Sequence, residues 1–162
     1  MIASAQQGAD EAEPVVYEAQ VTLTPGPVEV PGEFPAVPEK FIFGFHGALA
    51  EHYDLTEEID RPRASSLDYL VASLAGCLAG TFVDALQARD LAPEVDCQAT
   101  GQVIDEGGTL VLHRVVVAYS LSAPPDQRDL IERVHRVHPS VCPVHRSLHK
   151  SIKIETSLTF SD

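Results

Sequence analysis

The sequence contains no tryptophan, one methionine, four tyrosines and six phenylalanines in 162 residues. A broad aromatic platform for stacking bases or sugars cannot be assembled from that set. Basic residues are scarce as well: 11 Lys and Arg face 24 Asp and Glu, a net charge of −13. A field of that sign repels phosphate backbones and anionic lipid surfaces, so neither nucleic acid nor a membrane is expected as a partner. No run approaches the roughly 18 consecutive apolar residues of a membrane span. The opening stretch MIASAQQGADEAEP lacks the basic start and apolar centre of a secretory signal. Residues 1–13 read instead as an acidic leader, and a cytoplasmic protein is expected. Cysteine is rare too, three in all. In a reducing compartment, any pair among them points to redox chemistry or metal binding rather than structural bridging.

What is present fits one domain. A chain of this length buries roughly two-thirds of its unfolded surface and needs no covalent staples. Residues 15–60 carry the N-terminal strands, rich in β-branched and aromatic residues and broken at Thr24-Pro25-Gly26-Pro27, with a polar connection from Glu51 to Arg63. Leu67, Leu70, Val71, Leu74, Leu78 and Leu86 then recur at helical spacing. Ser65 with Asp68 forms a capping-box start, because hydroxyl and carboxylate can satisfy the free first-turn amides. Ala72, Ser73, Ala75, Gly76, Ala79 and Gly80 leave the rest of this helix nearly bare, and a helix that is small and apolar all round is expected to be buried. A hairpin follows: a strand at 94–104, a turn at Asp105-Glu106-Gly107-Gly108, and a return at 109–121. A second helix starts at Pro124-Pro125, presents Leu130, Ile131, Val134 and Val137, and stops at Pro139. The alternation of Ile152, Ile154 and Leu158 marks a last strand over 151–160. The expected class is α+β, one domain, with both outer cysteines in its 65–162 portion.

The three cysteines are not equivalent. Cys77 lies in mid-helix, where a free thiol commonly serves as a small hydrophobe. Cys142 precedes Pro143 at the start of a short helix, with His145 and Arg146 within a turn. Unpaired amides and cations there favour a low-pKa thiolate. Cys97 sits in a strand between Asp96 and Gln98 without a basic neighbour and reads as structural.

The run Ser65–Gly80, SSLDYLVASLAGCLAG, resembles the central helix of the OsmC/Ohr family, the osmotically inducible and organic hydroperoxide resistance proteins. The run His138–Leu148, HPSVCPVHRSL, resembles that family's second cysteine motif, and the two cysteines stand 65 residues apart. The resemblance implies an OsmC-like fold, antiparallel sheet wrapped around a central helix and completed by an intertwined homodimer, with the active site at the subunit interface. It also implies an enzyme without metal or organic cofactor. Cys77 would be peroxidatic, attacking the distal oxygen of a small hydroperoxide and becoming a sulfenic acid. Cys142 would resolve it as a disulfide, which a cellular dithiol reduces.

Two departures from the family pattern stand out. Active peroxidases of the family carry a glutamate ten positions before the first cysteine, where this chain has Leu67, with Asp68 one place later. One residue rotates a helix by about 100°, so Asp68 is no direct substitute. The family's stabilising arginine comes from the N-terminal strands, and here no arginine precedes Arg61. Arg61 and Arg63 are the candidate thiolate stabilisers, with Glu57, Glu58 and Asp68 as candidate orienting acids. Two other classes compete. His135, His138, Cys142, His145 and His149 have zinc-ligand spacing, although Pro139 interrupts any helix through them. A non-catalytic protein that binds an apolar or acyl ligand in the dimer cleft, with Cys77 merely lining it, is the other.

Overall fold

The computed structural model describes residues 15–161; the acidic leader lies outside them. Helix formation in the middle of the chain is set by its first turn. The Ser65 hydroxyl accepts from the Asp68 amide, and the Asp68 carboxylate accepts from the Ser65 amide at 2.7 Å. From this capping box the central helix runs over Ser66–Gln87. It ends at Gln87 with Ala88 as its cap, and the chain turns away at Asp90, whose left-handed backbone (φ 58°) is a conformation short polar side chains tolerate.

The strands form two three-stranded sheets. In the first, β1 (Thr22–Leu23), β2 (Val30–Glu33) and β3 (Lys40–Phe43) make an antiparallel meander. Its β1–β2 turn closes through the Gly26 amide on the Glu29 carbonyl at 2.8 Å. The strand expected to continue into Phe45-His46-Gly47 instead gives way to a short helix, α1 (Gly47–His52), entered through Gly47 at φ 43°. The central helix is therefore α2. The first sheet docks at its start, where Tyr69 packs on the rings of Phe41 and Phe43.

The second sheet is built on the hairpin β4 (Val95–Asp105) and β5 (Leu110–Ser122), close to the expected bounds. Gly107 and Gly108 make its turn at positive φ, with the Asp105 carboxylate accepting from the Gly108 amide. Next come α3 (Pro125–Val137), a 3-10 turn (His138–Val141) and α4 (Pro143–Leu148). They return the chain to the opposite end of the sheet, so that β6 (Lys153–Ser161) pairs parallel with β5.

β5 alternates, with Val115, Val117, Tyr119 and Leu121 all buried. Against that face lie Leu74, Leu78, Phe82 and Leu86 of α2 and Ile131 and Val134 of α3. Val137, expected on the same face of α3, is 56% exposed because the chain is already leaving the helix into the 3-10 turn. Nor is α2 enclosed all round: Ala72, Ser73, Gly76 and Gly80 are exposed in this chain. By length and composition α2 also qualifies as a membrane span, contrary to the expectation from consecutive apolar residues, since Leu, Val, Ala and Phe outweigh the Gly and Ser among them. Here its buried stripe is the core of the fold.

Phe82 is fully buried and touches both Tyr119 and His138 with ring centroids 4.9 and 5.0 Å apart. Phe82→Ala is expected to lower unfolding stability by about 3–5 kcal/mol in urea denaturation. A loss below about 1 kcal/mol would show that the ring is not the packing centre.

Candidate active site

Cys77 occupies the flank of α2, half-buried, one residue before the core residue Leu78. Thr81, one turn on, ties its hydroxyl to the Cys77 carbonyl at 2.8 Å. Cys142 is the N-cap residue of α4 and is fully buried. The fold brings the two together: the Cys142 thiol donates to Cys77 Sγ at 3.1 Å, with both cysteines free. Sulfur atoms at that separation need only small side-chain rotation to bond, since no backbone element intervenes.

The electrostatics of Cys142 reverse the expectation from its position. Burial pushes its thiol up, opposed by the His145 amide that donates to Sγ at 3.4 Å, while the neighbouring Cys77 adds to the rise. Arg146 is exposed, and α4 has only six residues. Its end charge therefore does not outweigh desolvation. Cys142 keeps its proton and has it available for Cys77. Cys97 lies on β4 opposite Tyr119, and burial raises its thiol as well. No contact joins it to the pair among the described residues.

The candidate charged residues cluster elsewhere. Asp68 is held by Ser65 and by His46, whose Nε2 lies 2.7 Å from the same carboxylate oxygen. Burial raises its carboxyl, but the hydrogen bonds from Ser65 and His46 win and lower it. It stands nine residues before Cys77, roughly 13 Å along the axis and on the opposite side of the helix. Its place in the structure is a cap and a latch to the start of α1 rather than the thiol pair. Arg63 pairs with Glu29, an acid the sequence reading did not select, and its side chain lies against Gly44. Glu57 and Glu58 are exposed, and among the described residues neither pairs with an arginine. Arg61 is exposed and borders a cavity of about 730 Å³ with Glu58, Asp60 and Arg63. Arg63 is tied to Phe45 through its backbone just ahead of α2, whose first residue stands roughly 16 Å of axial rise from Cys77. Leu67, standing where the family has glutamate, lines an apolar cavity of about 610 Å³ with Phe43, Phe45, Leu49 and Leu55.

The histidines do not converge on a metal. Among the described residues no three His, Cys, Asp or Glu side chains are placed to share an ion. His145 and His149 stack on each other at 5.3 Å, whereas His135 and His138 pack on Phe82. His138 is buried and fully engaged: its Nδ1 donates to the His135 carbonyl at 2.7 Å, leaving Nε2 to accept from the Tyr119 hydroxyl at 3.1 Å. The Nε2 of His135 and Nδ1 of His145 are buried without partners.

Two sheets, a central helix bearing one thiol, and a crossover turn delivering a second thiol to it define an α+β fold of the two-cysteine OsmC kind. The chain belongs to the OsmC-like protein family, whose model matches residues 59–157. The OsmC-like protein from Mycoplasma pneumoniae superposes with a TM-score of 0.71 at 13% identity, over 91% of this chain and 100% of its own. The organic hydroperoxide resistance protein OhrB of Bacillus subtilis does so with a TM-score of 0.68 at 11% identity, over 90% of this chain and 100% of that one. An organic hydroperoxide resistance protein from Legionella pneumophila gives 0.69 at 11% identity, over 90% and 99%. No curated protein matches the chain by sequence. At such identities the likeness establishes the fold alone.

His138 also predicts a pH dependence. Burial holds its pKa down at about 4 against an ordinary 6.5, partly offset by the His135 carbonyl. Between those values the unfolded chain binds a proton that the folded chain does not, so stability falls as pH drops from about 6.5 to about 4. His135 and His145, both lowered first by burial, add to the slope. Urea midpoints measured across this window are expected to fall in the wild type and to fall less steeply in His138→Gln. Equal slopes would show that His138 is not held neutral.

Proposed function

We propose that the chain is a cysteine-based peroxidase that reduces organic hydroperoxides. The observation carrying this reading is the 3.1 Å contact in which buried Cys142 donates to half-exposed Cys77. Cys77 is the sulfur that solvent and substrate can reach, and Cys142 is the one held protonated behind it. Attack of the Cys77 thiolate on the distal peroxide oxygen breaks the O–O bond, leaves Cys77 as sulfenic acid, and releases the alcohol after proton uptake. Cys142 then attacks that sulfur, water departs, and the Cys77–Cys142 disulfide forms. A cellular dithiol returns both to thiols. The apolar neighbours of Cys77 suit an organic rather than an ionic substrate.

The same reading makes the protein a cytoplasmic homodimer. The exposed small residues on α2, with Val15, Val16 and Tyr17 exposed at 78%, 93% and 79%, form the surface a second copy would cover. The family resemblance supports an active site at that interface. Arg61 or Arg63, distant from Cys77 within one chain, would then approach it from the second copy. The apolar cavity beside Leu67 favours a second reading, a binding protein for an apolar ligand. That reading gains if such a ligand co-purifies while the thiols stay inert.

The test is peroxide consumption with cumene hydroperoxide, followed by mass spectrometry of the protein. The wild type is expected to lose two thiols per chain and to acquire the Cys77–Cys142 linkage. Cys77→Ser should fall to background, and Cys142→Ser should react once and stop as a sulfenic acid. Absence of both linkage and sulfenic acid in the wild type overturns the proposal.

A further inference from the structure

The turn carrying Cys142 has its own brace, which no step of the thiol chemistry uses. His138 begins this turn four residues before Cys142, and its ring is 1% exposed. Three elements meet on that ring. β5 contributes the Tyr119 hydroxyl to its Nε2 at 3.1 Å, the end of α3 contributes the His135 carbonyl to its Nδ1 at 2.7 Å, and α2 contributes the face of Phe82 at 5.0 Å. Phe82 directly follows Thr81, which is bonded to the Cys77 carbonyl. The brace thus links the helix of one thiol to the turn of the other. Burial is the main cause that pushes the Tyr119 hydroxyl up, with Cys97 and Cys142 adding to the rise.

We infer that His138, together with Tyr119, is a positioning residue that holds Cys142 against Cys77 and thereby sets how readily the disulfide closes. The inference rests on the two-thiol reading above and adds what decides its second step. The Cys77 sulfenic acid has two fates. Attack by the Cys142 thiol expels water and gives the disulfide. Reaction with a second hydroperoxide transfers another oxygen, releases another alcohol and gives a sulfinic acid. The first fate depends on the local concentration of Cys142 sulfur, the second on peroxide alone. A turn freed from its brace spends less time with Cys142 in contact, and the balance moves toward sulfinic acid.

Tyr119→Phe removes the hydroxyl and keeps the buried ring. His138→Asn keeps a donor for the His135 carbonyl and removes the acceptor for Tyr119, repeating the test should the first variant not fold. Both are equilibrated in glutathione redox buffer, which needs no hydroperoxide, and then treated with excess cumene hydroperoxide. Losing one buried hydrogen bond is expected to lower the effective concentration of Cys142 roughly tenfold. The disulfide potential should rise by about 30 mV, with a comparable gain of sulfinic acid over disulfide. Leu86→Ala, which weakens the core away from the brace, should leave the potential at the wild-type value. Wild-type values in both brace variants overturn the inference, as does an equal shift in Leu86→Ala. If the wild type closes its disulfide in glutathione buffer but not with hydroperoxide, and the brace variants shift, positioning stands and the peroxidase reading falls. A wild type that closes no disulfide in either condition overturns both.

Discussion

The docking of one helical stripe onto one strand face fixes everything else in this molecule. Leu74, Leu78, Phe82 and Leu86 repeat every four residues and are buried against β5. Once Leu78 points inward, helical geometry assigns the remaining azimuths at about 100° per residue. Cys77 falls on the flank together with Thr81, and Gly76 and Gly80 fall on the far side. That is why Cys77 is half-buried beside a core residue and why the small residues face out. The thiol's partial exposure follows from which leucines make the core, and no separate device is needed to present it.

The second constraint is topological. Because β6 pairs parallel with β5, the chain must return across the sheet between them. α3, the 3-10 turn and α4 make that return alongside α2, and Cys142 sits at the junction of the 3-10 turn and α4. Two thiols 65 residues apart in sequence therefore meet because one lies on the helix covering the sheet and the other on the crossover packed beside that helix.

Features encoded by neighbours along the chain were legible before the structure was known. The capping box at Ser65 and Asp68, the Asp105–Gly108 turn and the leucine spacing of α2 each need only residues within a turn of one another, and each lies where expected. The thiol pair was legible through two motifs and their separation. What escaped was set by packing between distant segments. Phe82 was absent from the expected stripe, although it lies one step of four beyond Leu78. Arg63 pairs with Glu29, 34 residues away, rather than with the nearer Glu57 or Glu58. The environment of Cys142 reversed outright. Local sequence shows a helix start and two basic residues, but only the fold shows that the sulfur is fully buried and that Arg146 points to solvent.

That reversal bears on how such a site works. A thiol at a helix start is usually read as the more acidic member of a pair, because amide dipoles favour charge there. Here desolvation prevails over a six-residue helix, and Cys142 becomes the donor of the pair. On the proposed peroxidase reading the roles follow from burial: the sulfur reached by substrate is the acceptor of the Cys142 hydrogen, and the sulfur behind it holds the proton until Cys77 has been oxidised. A single S–H is a weak donor compared with a guanidinium. Within one chain, however, every arginine near the start of α2 is exposed or committed to another partner. The polar support that does reach the pair comes from a hydroxyl, a backbone amide and a neutral imidazole brace, all uncharged. Under the proposed peroxidase reading, such surroundings hold geometry without attracting anions, which suits a substrate that is itself uncharged and largely apolar.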